Sequence, residues 1–268
     1  MAFSGLVTVM LLIHAAGVLG AEVRSSIIGG GDASKGRWPQ MAFLKAITAD
    51  GVHKWLCGAT ILNSDWVLTA AHCWDKHPNP DIHRSMVWVG THELKKPSSR
   101  YHGILHFMSH PEYKALATGF QHDIALIKLK KKVRFNDLVK AVTLPGPDDI
   151  TPPSSECWIA GWGNIGASTP LPDPETLQEL QIPLVSQEVC KRQYPYLPSG
   201  VLCAGGKGED ACDGDYGGPL FCSAPQGGFV QMGIMSYGSP GGCGTDGPPG
   251  VFTEVSKHLR FINDYIHN

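Results

Sequence analysis

The sequence contains no Asn-x-Ser/Thr acceptor for an N-linked glycan, no internal repeat and no low-complexity tract. It has no apolar run that reads as a membrane span, because the stretch Leu6 to Leu19, with one histidine, falls short of the ~20 residues a span needs. Charge is scarce. Only 17% of residues are Asp, Glu, Lys or Arg, and the formal net charge is −2. That balance argues against general nucleic-acid binding and against a membrane-surface role. The missing charge is made up by turn formers, 32 glycines and 20 prolines, a composition that suits a turn-rich all-β chain.

The apolar run near the start ends Val18-Leu19-Gly20 before Ala21, with small residues at the last and third-last positions, so residues 1–20 read as a signal peptide cut after Gly20. About 248 residues then remain, enough for one large β domain or two small ones. All eight cysteines lie beyond the leader, which fits a secreted or granule-stored protein with four bridges. Sequence alone leaves about 105 pairings open. From Trp38 onward short apolar stretches alternate with turn signals, the pattern of a sandwich or barrel. The expected strands are 41–46, 57–62, 66–69, 86–89, 101–107 and 124–129, then 157–161, 179–184, 200–204, 219–222, 229–237 and 250–255. Proline and aspartate between Val142 and Ser155 mark a linker. Leu259, Ile262, Tyr265 and Ile266 recur at helical spacing in a terminal helix.

Four motifs carry the chemistry. Thr69-Ala70-Ala71-His72-Cys73 sets a histidine, Asp123-Ile124-Ala125-Leu126 an aspartate, and Ser236-Tyr237-Gly238 a serine. The run Cys212-Asp213-Gly214-Asp215-Tyr216-Gly217-Gly218-Pro219 is the fourth. Together they resemble the trypsin-like, chymotrypsin-fold serine proteases of the S1 family, in a tryptase-like branch, whose nucleophile loop reads Gly-Asp-Ser-Gly-Gly-Pro. The resemblance covers residues 27–268 and implies an all-β fold of two six-stranded antiparallel β-barrels with a C-terminal helix and the site between them. It implies His72 as general base, Asp123 as its orienting carboxylate, Ser236 as support behind Asp123, and the Gly214 and Tyr216 amides as the oxyanion hole. It also implies a pocket for Lys or Arg built from Asp210, Gly238 and Gly250, with Asp213 as a second negative charge at its rim. Of the open pairings it selects Cys57–Cys73, Cys157–Cys222, Cys190–Cys203 and Cys212–Cys243.

Two departures stand out. Tyr216 occupies the position of the nucleophilic serine. Acyl transfer needs an oxygen on a short arm within reach of the base, and a tyrosine carries its hydroxyl on the far side of a ring. The second departure is Ser26. Family zymogens are cut after Arg or Lys to free an amine that pairs with the aspartate beside the nucleophile, here Ile27 and Asp215. This chain has its arginine two residues earlier, at Arg24. Either the switch in the pro-segment 21–26 is lost, or Ser25-Ser26 is trimmed after a cut at Arg24, or dipeptides are removed stepwise from Ala21.

The expectation is a secreted protease homologue without peptidase activity and without a cofactor, which binds proteins or peptides through exposed Lys or Arg, protease inhibitors among them. The alternative is an active serine endopeptidase cutting after Lys or Arg, with Tyr216 a variant or an error. His102, His106 and His110 recur every fourth residue, but on a strand that spacing is ~13 Å, too far for one ion, so no metal site is read there. Lys128, Lys130, Lys131, Lys132 and Arg134 form a basic run that reads as a solvated strand edge, with weak polyanion binding as the sharper option.

Overall fold

The computed structural model describes residues 30–96, 100–149, 152, 154–164, 169–206, 214–238 and 247–267. The short strand β1 (Gly31–Asp32) is followed by β2 (Met41–Ile47), β3 (Lys54–Ile61), β4 (Trp66–Thr69), the single turn α1 (His72–Asp75), β5 (Met86–Val89) and β6 (Arg100–Ser109). A small hairpin, β7 (Lys114–Ala115) and β8 (Phe120–Gln121), then leads into β9 (Ala125–Leu129). Six of these strands close into a barrel in the order β2-β3-β4-β9-β6-β5. Most of its strands read as near-continuous apolar runs rather than strict alternations. In β2, Met-Ala-Phe-Leu-Lys-Ala-Ile, five of the seven residues are buried because both faces are covered.

The second half comprises β10 (Cys157–Gly161), β11 (Gln178–Ile182), β12 (Leu184–Val185), the helix α2 (Gln187–Gln193), β13 (Val201–Ala204), β14 (Pro219–Ser223), β15 (Phe229–Tyr237) and β16 (Gly250–Glu254). They form one antiparallel sheet in the order β1-β11-β10-β14-β15-β16-β13-β12. The expected strand 179–184 is split at Pro183, which has no N–H to give to a ladder. Before the break Ile182 pairs with Cys157, and after it Leu184 pairs with Ala204. The chain thus passes from one side of the sheet to the other at Pro183, and this eight-stranded sheet forms a half-barrel, the second barrel below, beside the closed six-stranded one. The helix α2 was not expected from the sequence. Its start is fixed by Ser186, whose hydroxyl accepts the Val189 amide. The expected terminal helix opens as a 3-10 turn, Val255–His258, before α3 (Leu259–Ile266).

The chain's two ends bind the halves together. The Ala33 amide donates to Leu177 O, which fixes the N-terminal segment on the second barrel. α3 instead returns to the first barrel, where Tyr265 meets Trp66 edge-on. Trp38 stacks on Phe221 with ring centroids 4.9 Å apart, inside a buried cluster that runs through both barrels. The connecting segment is laced to both, since Val142 N donates to Ile61 O and Gln231 N to Thr143 O. Within the interface the Thr60 hydroxyl donates to Gln231 Oε1 at 2.6 Å, with both residues fully buried. Three disulfides, Cys57–Cys73, Cys157–Cys222 and Cys190–Cys203, lie among the described residues. Cys212 and Cys243 fall outside them.

The two halves come into backbone contact at Gly58. A Cβ there would stand 2.6 Å from Gly218 Cα and 2.8 Å from Gly218 N, backbone atoms that cannot swing aside. Gly58→Ala is therefore expected to destabilise the protein by about 1–3 kcal/mol. A urea titration would show this as a lower midpoint at unchanged slope.

Candidate active site

β4 ends at Thr69, and the following turn carries His72 into the cleft with only 8% of its surface exposed. Asp123 sits just before β9, 1% exposed. One carboxylate oxygen accepts the His72 backbone amide at 2.8 Å, and the other lies 2.7 Å from His72 Nδ1. Ser236, near the end of β15, donates its hydroxyl to that second oxygen. Behind Asp123, the Thr253 hydroxyl of β16 donates to the Asp123 carbonyl at 2.9 Å. Three donors, one of them from the opposite barrel, thus converge on one buried carboxylate. They hold the imidazole with Nδ1 toward Asp123 and Nε2 toward the cleft.

Tyr216 stands against that imidazole. Its ring meets His72 edge-on, with centroids 5.7 Å apart and planes 78° to each other. The half-buried ring packs on the core clusters of both halves. Its carbonyl accepts the Gly58 amide at 2.8 Å, which anchors the loop to the first barrel. The loop's path needs glycine on both sides. Gly214 has φ +105° and Gly217 φ +80°. A Cβ on Gly217 would lie 2.4 Å from Thr69 Oγ1. Asp215 is buried, and its Oδ1 accepts the Gly163 amide at 2.8 Å. Gly161 makes room for that carboxylate, since a Cβ there would fall 2.0 Å from Asp215 Oδ1.

The sequence reading missed the aromatic cover over the histidine. Phe120, which opens β8, stacks on His72 with centroids 4.7 Å apart and planes within 9°. Tyr113 and Tyr237 flank Phe120 at 6.2 and 6.3 Å. Gly119, at φ +94°, abuts Tyr237 so closely that a Cβ would lie 2.4 Å from the phenol ring. No local signal in Ala-Thr-Gly-Phe-Gln forecasts these contacts, which depend on the hairpin folding back. The surroundings are electronegative. Burial, and next the Asp123 charge, push the Asp75 carboxyl up. Burial first, then the charges of Asp123 and Asp75, push the Tyr113 phenol well above its ordinary range.

The remaining expected pocket residues are only partly in view. Gly250 opens β16, buried and paired with Ala204, and Gly238 is half-buried just after β15. Asp210, Asp213 and Ile27 lie outside the described residues. His102 and His106 are on β6, as a strand reading requires, while His110 follows that strand.

With this geometry in hand, comparison with known proteins gives a consistent result. A family model described as Trypsin matches residues 27–262. A curated protein called Tryptase, from Mus musculus, is 34% identical over 270 residues, covering 95% of this chain and 93% of its own length. The chain belongs to the trypsin family of S1 serine proteases, and its similarity to a tryptase extends over nearly its whole length.

Two expectations follow from the site's packing. Asp123→Ala strands two buried donors on His72 and one on Ser236, so stability should fall by about 2–4 kcal/mol in urea unfolding. Burial, and secondarily the Asp123 charge, push the Tyr237 phenol from its ordinary value of 10.0 up to about 12. The unfolded chain ionises this group first, so its contribution to stability is complete below pH 10.0 and drains away as pH rises toward about 12. Stability measured across that window should decline less steeply in Tyr237→Phe than in the parent.

Proposed function

We propose that this chain is a secreted trypsin-like protease homologue without peptidase activity, which acts by binding protein or peptide ligands through their exposed Lys or Arg side chains. The observation that carries the reading is Tyr216, whose ring lies 5.7 Å from the His72 ring, at the family's nucleophile position. A substrate carbonyl would need that volume. Losing the serine of such a triad lowers turnover by about 10⁶-fold even when nothing fills the gap. Ser26 ahead of Ile27 points the same way, because the usual activating cut would lack its basic residue.

Under this reading Asp210, Gly238 and Gly250 form a recognition pocket for a basic side chain, and Asp213 adds negative charge at its rim. Protease inhibitors that present Lys or Arg are fitting partners, and no cofactor is required. Residues 1–20 serve as signal peptide and 21–26 as a short pro-segment. Whether the pocket is shaped depends on the Ile27 amine meeting Asp215.

The rival reading, an active endopeptidase cutting after Lys or Arg, draws support from the ordered His72–Asp123–Ser236 chain of hydrogen bonds. A serine-directed fluorophosphonate discriminates between the two. No covalent labelling of the native protein is expected, and labelling at residue 216 would sink the binding-only reading. Benzamidine, a small cation of the arginine type, is expected to bind the native protein and to lose at least about tenfold in affinity in Asp210→Ala. A weaker polyanion contact draws support from a basic hollow of about 530 Å³ lined by Arg100, His102, Lys131, Lys132 and Arg134. Retention on heparin at low salt that vanishes when Lys131 and Lys132 are neutralised would establish it.

A further inference from the structure

Next to Asp123 in the chain, His122 meets two further histidines that are distant in sequence. His110 follows β6, His122 is the residue before Asp123, and His258 closes the 3-10 turn ahead of α3. His110 stacks on His122 with centroids 4.8 Å apart, and His258 stands edge-on to both rings at 5.4 Å. One ring nitrogen from each lies within 4.8 Å of those of the other two. The tightest approach, His122 Nδ1 to His258 Nε2, is 3.1 Å. A tetrahedral zinc ion with bonds of about 2.0–2.1 Å holds its nitrogens about 3.3 Å apart. One edge of the tetrahedron is therefore in place, and the His110 ring, stacked on His122 with planes 17° apart, must reorient to supply the third nitrogen.

We infer that His110, His122 and His258 form a binding site for a divalent transition ion, zinc above all, with a fourth position left to water or to Glu112. Several features prepare these rings for an ion. His258 Nδ1 donates to the Glu254 carbonyl at 2.8 Å, which leaves the Nε2 lone pair facing His122. A carbonyl-backed imidazole of this kind is the usual support for a metal-ligating histidine. When His122 gives Nδ1 to the ion, its proton moves to Nε2, and Glu112 Oε2 stands 3.9 Å from that nitrogen. His122 is held in this direction by a left-handed backbone, φ 48°.

Against the ion stand Lys257 and Arg260, which share the hollow of about 680 Å³ in front of the rings, although Arg260 is engaged with Asp264. His110 Nδ1 also accepts the Glu112 amide at 3.2 Å, a contact the ion would compete with. Nitrogen donors select zinc, copper or nickel over calcium and magnesium, which prefer oxygen. The regular spacing of His102, His106 and His110 was set aside as a metal site in the sequence reading, because a strand holds such residues too far apart. Only the fold shows that His110 turns toward His122 and His258.

An ion here would tie the loop bearing Asp123 to the turn that starts α3, and it does not depend on whether residue 216 is a nucleophile. The experiment uses tag-free, chelator-stripped protein at neutral pH, titrated with zinc chloride in a calorimeter. One ion per chain is expected, at micromolar affinity or tighter. Zinc-edge X-ray absorption on the same unsubstituted protein should show at least two imidazole nitrogens at about 2.0 Å. His122→Asn, chosen because asparagine tolerates a left-handed backbone, and His110→Gln should each weaken binding by at least about tenfold. The assignment is overturned by absence of saturable binding below about 1 mM, by fewer than two imidazoles at the ion, or by either folded variant binding as tightly as the parent. The absorption measurement decides the matter if a variant fails to fold.

Discussion

A carboxylate almost sealed from water holds this molecule's two halves in register. Burying Asp123 would be costly if its oxygens lacked donors. Instead they receive the His72 amide and face the His72 ring from the first barrel, and accept the Ser236 hydroxyl from the second. Thr253, also from the second barrel, holds the backbone carbonyl of the same residue. The arrangement works only if the barrels meet at one fixed offset. Gly58 and Gly218 permit that offset by letting two backbones touch, and the Tyr216 carbonyl locks it by accepting the Gly58 amide.

This dependence explains how the site keeps its order with a tyrosine at position 216. Asp123, Ser236 and Thr253 cross-link the two halves through hydrogen bonds that do not involve the side chain of residue 216. Tyr216 itself joins the interface, because its ring packs on apolar clusters from both halves. A small serine would leave that ring-sized space to solvent or substrate. A tyrosine at this position thus adds apolar contact between the two halves.

Much of this was legible in the sequence, for identifiable physical reasons. Barrel strands such as 66–69, 86–89, 157–161 and 229–237 agree at both ends because apolar runs bounded by turn residues leave little freedom. His72, Asp123, Ser236 and the loop around Tyr216 were singled out because their motifs are dense, and the structure brings them together. What escaped depends on long-range return of the chain. The stacking of Phe120 on His72, the contact of Gly119 with Tyr237 and the His110–His122–His258 cluster join residues whose local sequences carry no signal. Pro183 was readable as a strand breaker, yet the sequence did not reveal that the chain changes partners there. α2 was signalled only by the cap Ser186 and was passed over.

The central claim is that one side chain silences an otherwise ordered site. The most direct measurement compares hydrolysis of a Lys/Arg reporter peptide by the native protein and by Tyr216→Ser, each prepared with Ile27 as its free N-terminus. The account predicts no turnover above background from the native protein and clear turnover from the serine variant. Native turnover comparable to that of the variant would contradict the loss of activity. Silence from both would contradict the claim that the rest of the site is intact.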